Sequence, residues 1–122
     1  MMLFLTPDYA RLEIARDREF HEVSQAVVTL FQVCRLNGLR NALIVSRQSG
    51  LDWRSCMRLG IRLTESRGIL LPKGEGKLAL VEHDASDTAR KDVGDVADEV
   101  GLICRVFKAE DAALRWLAGK AD

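Results

Sequence analysis

Two short apolar runs constrain this chain more than anything else in it. Ala42-Leu43-Ile44-Val45 is apolar throughout, Lys77-Leu78-Ala79-Leu80-Val81-Glu82 is apolar at its four central positions, and both are too short for a buried helix. A strand of that kind must be covered on both faces, as central strands of parallel sheets are. Each run is followed by a segment with helical spacing, and parallel neighbours require such a crossover. After the first run comes a polar turn, Ser46 to Gly50, and a helix that starts near Asp52. A strand that ends in a Ser/Gly turn and opens a helix brings its carbonyl end close to unpaired helix N–H groups. That is where α/β proteins hold ligands and regulated groups. The candidate contact turn is therefore Ser46, Ser49, Gly50 and Asp52, with the two serines as candidate phosphoacceptors.

The other segments fall around these two strands. Met2 to Thr6 is apolar and stops at Pro7-Asp8, a turn signal. Tyr9 to Arg16 alternates with period two, so the two stretches predict an antiparallel hairpin at one edge of the sheet. Glu19 to Asn37 carries Phe20, Val23, Val27, Leu30, Phe31 and Cys34 at helical spacing, with acidic residues at its start and Gly38 just past its end. A second helix is predicted from Asp52 to Ser66, with Trp53, Cys56, Met57, Gly60 and Ile61 inward and Arg54, Arg58 and Arg62 outward. A third runs from Ser86 or Asp87 to Gly101. Leu102 to Phe107 reads as the last strand, and Glu110-Asp111 open a last helix with Ala112, Ala113, Trp116 and Leu117 facing in. The predicted order is β-β-α-β-α-β-α-β-α: one α/β domain over residues 1–122, built on a single mixed, mostly parallel β-sheet with about four helices.

Composition narrows the function classes. With 48% hydrophobic and 30% charged residues the chain has the balance of a soluble globular domain, and its net charge of zero argues against a dedicated nucleic-acid binder. No apolar run approaches the ~20 residues of a membrane span. The opening MMLFLTP is too short for a signal peptide and lacks a basic flank, which predicts a cytoplasmic protein. Cys34, Cys56 and Cys104 are widely spaced within apolar stretches, the pattern of reduced thiols and not of a disulfide framework or metal site. The glycine pair in Lys73 to Lys77 lacks the preceding strand and the Gly-Lys-Ser/Thr end of a phosphate loop. Ser49 with His83 and Asp84 is the one hydrolase constellation available, but Arg47 stands where a nucleophile elbow needs glycine. No catalytic residue, metal ligand or cofactor is assigned.

Charge is unevenly spread. Between Arg35 and Lys73 basic residues outnumber acidic ones by about six, and between Glu82 and Glu99 the balance is about −5. Arg47, Arg54, Arg58 and Arg62 form a candidate basic docking stripe. It suits an anionic partner or a second copy of the chain packed basic on acidic, a homodimer. A second function class is a carrier of a small apolar or lipid-like ligand, with a pocket between sheet and helices lined by Phe20, Phe31, Trp53 and Met57.

Two local signatures add a resemblance. Lys77 to Val81, followed later by Val106-Phe107-Lys108-Ala109-Glu110-Asp111-Ala112-Ala113-Leu114-Arg115-Trp116-Leu117, is similar to the closing pattern of the SpoIIAA-like family of STAS-type domains. Ser49-Gly50-Leu51 after the central strand resembles the segment in which anti-sigma-factor antagonists of that group are phosphorylated. Arg47 and Gln48 stand where those proteins carry an acidic residue and a Ser or Thr. The resemblance implies a small bacterial, non-enzymatic regulatory or protein-interaction domain, switched at Ser49. It also implies helices mainly on one face of the sheet, leaving the other face incompletely covered.

Overall fold

The computed structural model describes residues 2–15, 19–47, 55–56, 58–60, 62, 76–82, 91, 95 and 103–119. Five strands form one mixed sheet in the order β1-β2-β3-β4-β5: β1 (Met2–Leu5), β2 (Ala10–Ile14), β3 (Asn41–Ser46), β4 (Lys77–Glu82) and β5 (Ile103–Phe107). β1 pairs antiparallel with β2, and every later neighbour is parallel. The α/β class, the edge hairpin and the mostly parallel sheet are as the sequence predicts. Two helices are described whole, α1 (Phe20–Leu36) and α2 (Glu110–Leu117). Ser55, Cys56, Arg58, Leu59, Gly60 and Arg62 are helical within the second predicted helix, and Lys91 and Asp95 within the third. The rest of those two segments lies outside the described residues.

The hairpin turn is held by one side chain. Thr6 Oγ1 accepts from the N–H of Asp8 and Tyr9 at 3.2 and 3.0 Å and donates to the Tyr9 carbonyl at 3.0 Å. At the end of α1, Gly38 adopts φ +66°, Leu39 N–H reaches the Cys34 carbonyl at 2.8 Å, and Gly38 N–H reaches that of Arg35 at 3.3 Å. This is a Schellman cap, and its left-handed backbone at Gly38 favours glycine. It folds Leu39 back against the core, so the chain enters β3 directly under the helix.

The core has two parts, one on each face of the sheet. On the first face, Ala10, Leu12, Ile14, Ala42, Ile44, Leu78 and Leu80 meet the α1 stripe of Val23, Val27, Leu30, Phe31 and Cys34, together with Cys56. On the second face, Leu43, Val45, Ala79, Val81 and Phe107 are covered by Ala113 and Leu117 of α2. β3 and β4 are buried on both faces, as continuously apolar strands must be. α2 lies on the face opposite α1 and covers part of the second face. Right-handed crossover rules bind only helices between parallel strands. The terminal helix follows the last strand and is free to fold across to the uncovered side.

β3 extends one residue further at each end than predicted. Ser46 is the last residue of the strand, 3% exposed, and does not belong to the turn. All three cysteines are free thiols, Cys34 and Cys56 buried and Cys104 half-buried. Burial pushes the Cys34 thiol up to about 11, which leaves it protonated and unreactive at neutral pH.

Candidate functional site

Two parts of the sheet gather features that could serve function, and only the first was marked by the sequence. At the carboxyl ends of the parallel strands, Ile14, Ser46 and Glu82 stand in one row on the first face, and the two polar members are 3% and 6% exposed. Ser46 is thus shielded by the fold. A kinase could not reach it without local opening. Ser49, Gly50, Asp52 and Arg54 lie outside the described residues, as do His83, Trp53 and Met57.

On the second face of the same sheet end, charged groups are joined across the chain. Arg11 on β2 makes a bidentate contact with Glu110 in the first turn of α2, Nε to Oε2 at 3.0 Å and Nη2 to Oε1 at 2.9 Å. Its Nη1 donates to Glu13 Oε2 at 3.3 Å, and Arg47 Nε donates to Glu13 Oε1 at 3.0 Å. Arg47, counted by the sequence in the basic stripe, is therefore engaged with Glu13, beside which its backbone N–H also bonds the Ile14 carbonyl at 2.9 Å. Of the other stripe residues, Arg58 is half-buried and Arg62 exposed. The helix that bears them packs closely on α1 at Gly60.

These bonds set the acid sensitivity of the fold. Hydrogen bonds from Arg47 and then Arg11 hold the Glu13 carboxyl below the ordinary carboxylate range, and Arg11 does the same for Glu110. A carboxylate whose folded pKa is depressed contributes stability above its unfolded value, near 4.3, and that contribution fades as pH falls through the folded value. Urea midpoints should be flat from neutral pH down to about 5 and then fall with acidification. Glu110→Gln should flatten part of that fall; an unchanged acid slope in this variant would remove Glu110 from the account.

The second candidate is the outer edge of β1. All four side chains are apolar and exposed: Met2 56%, Leu3 37%, Phe4 42% and Leu5 53%. β1 is the end strand of the sheet, so its outer backbone groups have no strand partner among the described residues. Leu3 pairs with Leu12 and faces α1, whereas Phe4 pairs with Arg11 on the second face, where the guanidinium lies 5.7 Å from the ring centre. Between β1 and α1 runs an open groove of about 430 Å³, floored by Leu3, Leu12 and Ala26 and rimmed by His21, Glu22 and Gln25. The opposite edge strand is different. Arg105 projects from β5 over the Phe107 ring at 5.5 Å, a charge of the kind that discourages strand pairing. The sequence offered one signal for β1: an edge strand that does not alternate polar with apolar.

Of the residues named for a carrier pocket between sheet and helices, only Phe20 and Phe31 are among the described residues. Phe31 is fully buried in the packed core and Phe20 is 42% exposed at the start of α1. Among the described residues no group of His, Cys, Asp and Glu could hold a metal ion, and no helix is long and apolar enough to cross a membrane.

No protein-family model, curated protein or solved structure matches this chain.

Proposed function

We propose that this chain is a non-enzymatic, cytoplasmic protein-interaction domain on a STAS-type scaffold, with four helices, that docks a protein partner by strand addition at β1. The observation that carries this reading is an edge with no strand partner among the described residues: four consecutive exposed apolar residues, with neither charge nor proline in the strand. Natural edge strands are normally blunted by such residues, and an edge left open is a template for another strand. The hairpin leading into parallel strands supports the scaffold. A regulatory switch at Ser49 rests on the resemblance of Ser49-Gly50-Leu51 alone. The Arg11 clamp supports a fixed platform: it holds β2, and so the root of β1, against α2.

A capped five-residue peptide with the sequence of Met2–Thr6 tests the docking mode. Titrated into the dilute, isotope-labelled protein, it should shift the backbone resonances of Leu3 and Leu5 and of their β2 neighbours. Residues of β4 and α2 should stay in place. Absence of shifts up to millimolar peptide would remove strand addition.

A further inference from the structure

The strand-addition reading leaves the partner open, and the inference drawn here rests on that reading. We propose that the strand joining β1 is β1 of a second copy of this chain, antiparallel, with Phe4 on the two-fold axis.

The direction of the backbone groups comes first. Thr6 N–H donates to the Tyr9 carbonyl at 2.9 Å, which makes Thr6 and Tyr9 a hydrogen-bonded pair of the hairpin. Such pairs alternate along an antiparallel ladder, so Phe4–Arg11 and Met2–Glu13 are hydrogen-bonded as well, while Leu3–Leu12 and Leu5–Ala10 are not. Leu3 and Leu5 therefore turn their N–H and C=O groups outward, to the free edge.

Register follows from those groups. A two-fold axis perpendicular to the sheet keeps the two faces continuous when it passes through Leu3 or through Phe4. With Phe4 on the axis, Leu3 of each copy exchanges both backbone bonds with Leu5 of the other, and every outward group of the strand is used. With Leu3 on the axis, Leu5 would find no strand residue opposite it. Pro7 has no N–H to donate and ends the pairing on the other side.

The side chains agree with this register. Phe4 opposite Phe4 is a non-hydrogen-bonded pair, the closer kind at ~4.5 Å between Cα atoms, so the two rings meet on the second face. On the first face, Leu5 of the second copy lands beside Leu3, at the groove that Leu3 shares with α1. No charge opposes the pairing. β1 carries none, and each Arg11 lies one strand further in. Three strand spacings, roughly 14 Å, separate the two β2 backbones, and each guanidinium lies by the Phe4 ring of its own copy. Each is moreover already bonded to Glu110 and Glu13.

Sedimentation velocity of the full chain from micromolar to millimolar concentration tests the proposal. The native chain should show a monomer–dimer equilibrium, and Phe4→Glu should raise its dissociation constant at least tenfold while far-UV circular dichroism at low concentration stays unchanged. A second measurement fixes the register and does not depend on that variant. Phe4→Cys should form a disulfide dimer under mild oxidation, whereas Leu3→Cys should cross-link only when mixed with Leu5→Cys. A native chain that stays monomeric throughout, a dimer indifferent to Phe4→Glu, or self-linking of Leu3→Cys alone would each overturn the proposal. If the chain is monomeric yet the five-residue peptide still shifts β1, strand addition stands and the dimer of whole chains fails. If neither occurs, both fail.

Discussion

Replacing Phe31 by alanine is expected to lower the free energy of unfolding by about 3–5 kcal/mol, the range for removing a fully buried ring. Phe31 is 0% exposed in the middle of α1, flanked on the same stripe by Val27, Leu30 and Cys34, each also 0% exposed. The helix backbone is fixed there by its cap at Gly38, and the sheet beneath is held by parallel pairing on both sides of β3. Neither layer can move far to close the space, so both the lost transfer energy and the cavity contribute. Domains of this size are stable by only about 5–15 kcal/mol, so the change removes a large share of the folding free energy. Urea denaturation should show a lower midpoint with an unchanged slope. A loss below about 1 kcal/mol would mean that the α1–sheet interface relaxes around the missing ring, contrary to the packing described.

Gly60→Leu is the second large expected effect, on the order of 3 kcal/mol of destabilisation from overpacking. A Cβ at this position would stand 2.9 Å from Val27 Cγ1, 3.1 Å from Val27 Cβ and 3.4 Å from the Ser24 carbonyl oxygen. Val27 is fully buried, and a β-branched side chain has little freedom to rotate away in a helix. Even Gly60→Ala sets a gain in helix propensity of roughly 1 kcal/mol against that contact. Valine-to-alanine replacement at Val27 removes Cγ1, the nearest obstructing atom, and leaves Cβ in place. The pair Gly60→Ala and Val27→Ala should therefore be less destabilised than the sum of the two single changes, by roughly 0.5–3 kcal/mol in a double-mutant cycle. Simple additivity would show that the two helices do not touch at Gly60 and Val27.

Much of the scaffold was legible because its signals are local. The continuous apolarity of β3 and β4, the period-two alternation of β2, and the α1 stripe ended by Gly38 each follow from residues within a few positions of one another. What escaped the sequence depends on pairs far apart in it. Nothing near Arg11 announces Glu110, and their bond spans 99 positions. Arg47 resembled its neighbours Arg54, Arg58 and Arg62 in charge and spacing, yet the end of β3 places it beside Glu13. Ser46 looked like a turn residue because serine is common in turns; burial was decided by Glu82 and Ile14 on the flanking strands. The face taken by α2 was not legible in the sequence for a related reason. Handedness rules reach only as far as the last crossover, and a terminal helix answers to whichever apolar surface remains.

The bond between Arg11 and Glu110 also bears on the order in which this chain can become complete. The ribosome delivers β1, β2, α1 and β3 well before α2, and at about 5–20 residues per second the delay lasts seconds. During that interval the first face can already assemble from α1 and the early strands. Leu43, Val45, Ala79 and Val81 have no α2 to cover them, and Arg11 has no Glu110. The nascent domain thus spends its youth with one finished side and one adhesive side, next to a strand edge that is open from the start. The arrival of α2 ends this exposure, and only then is the first hairpin tied to the first turn of that helix.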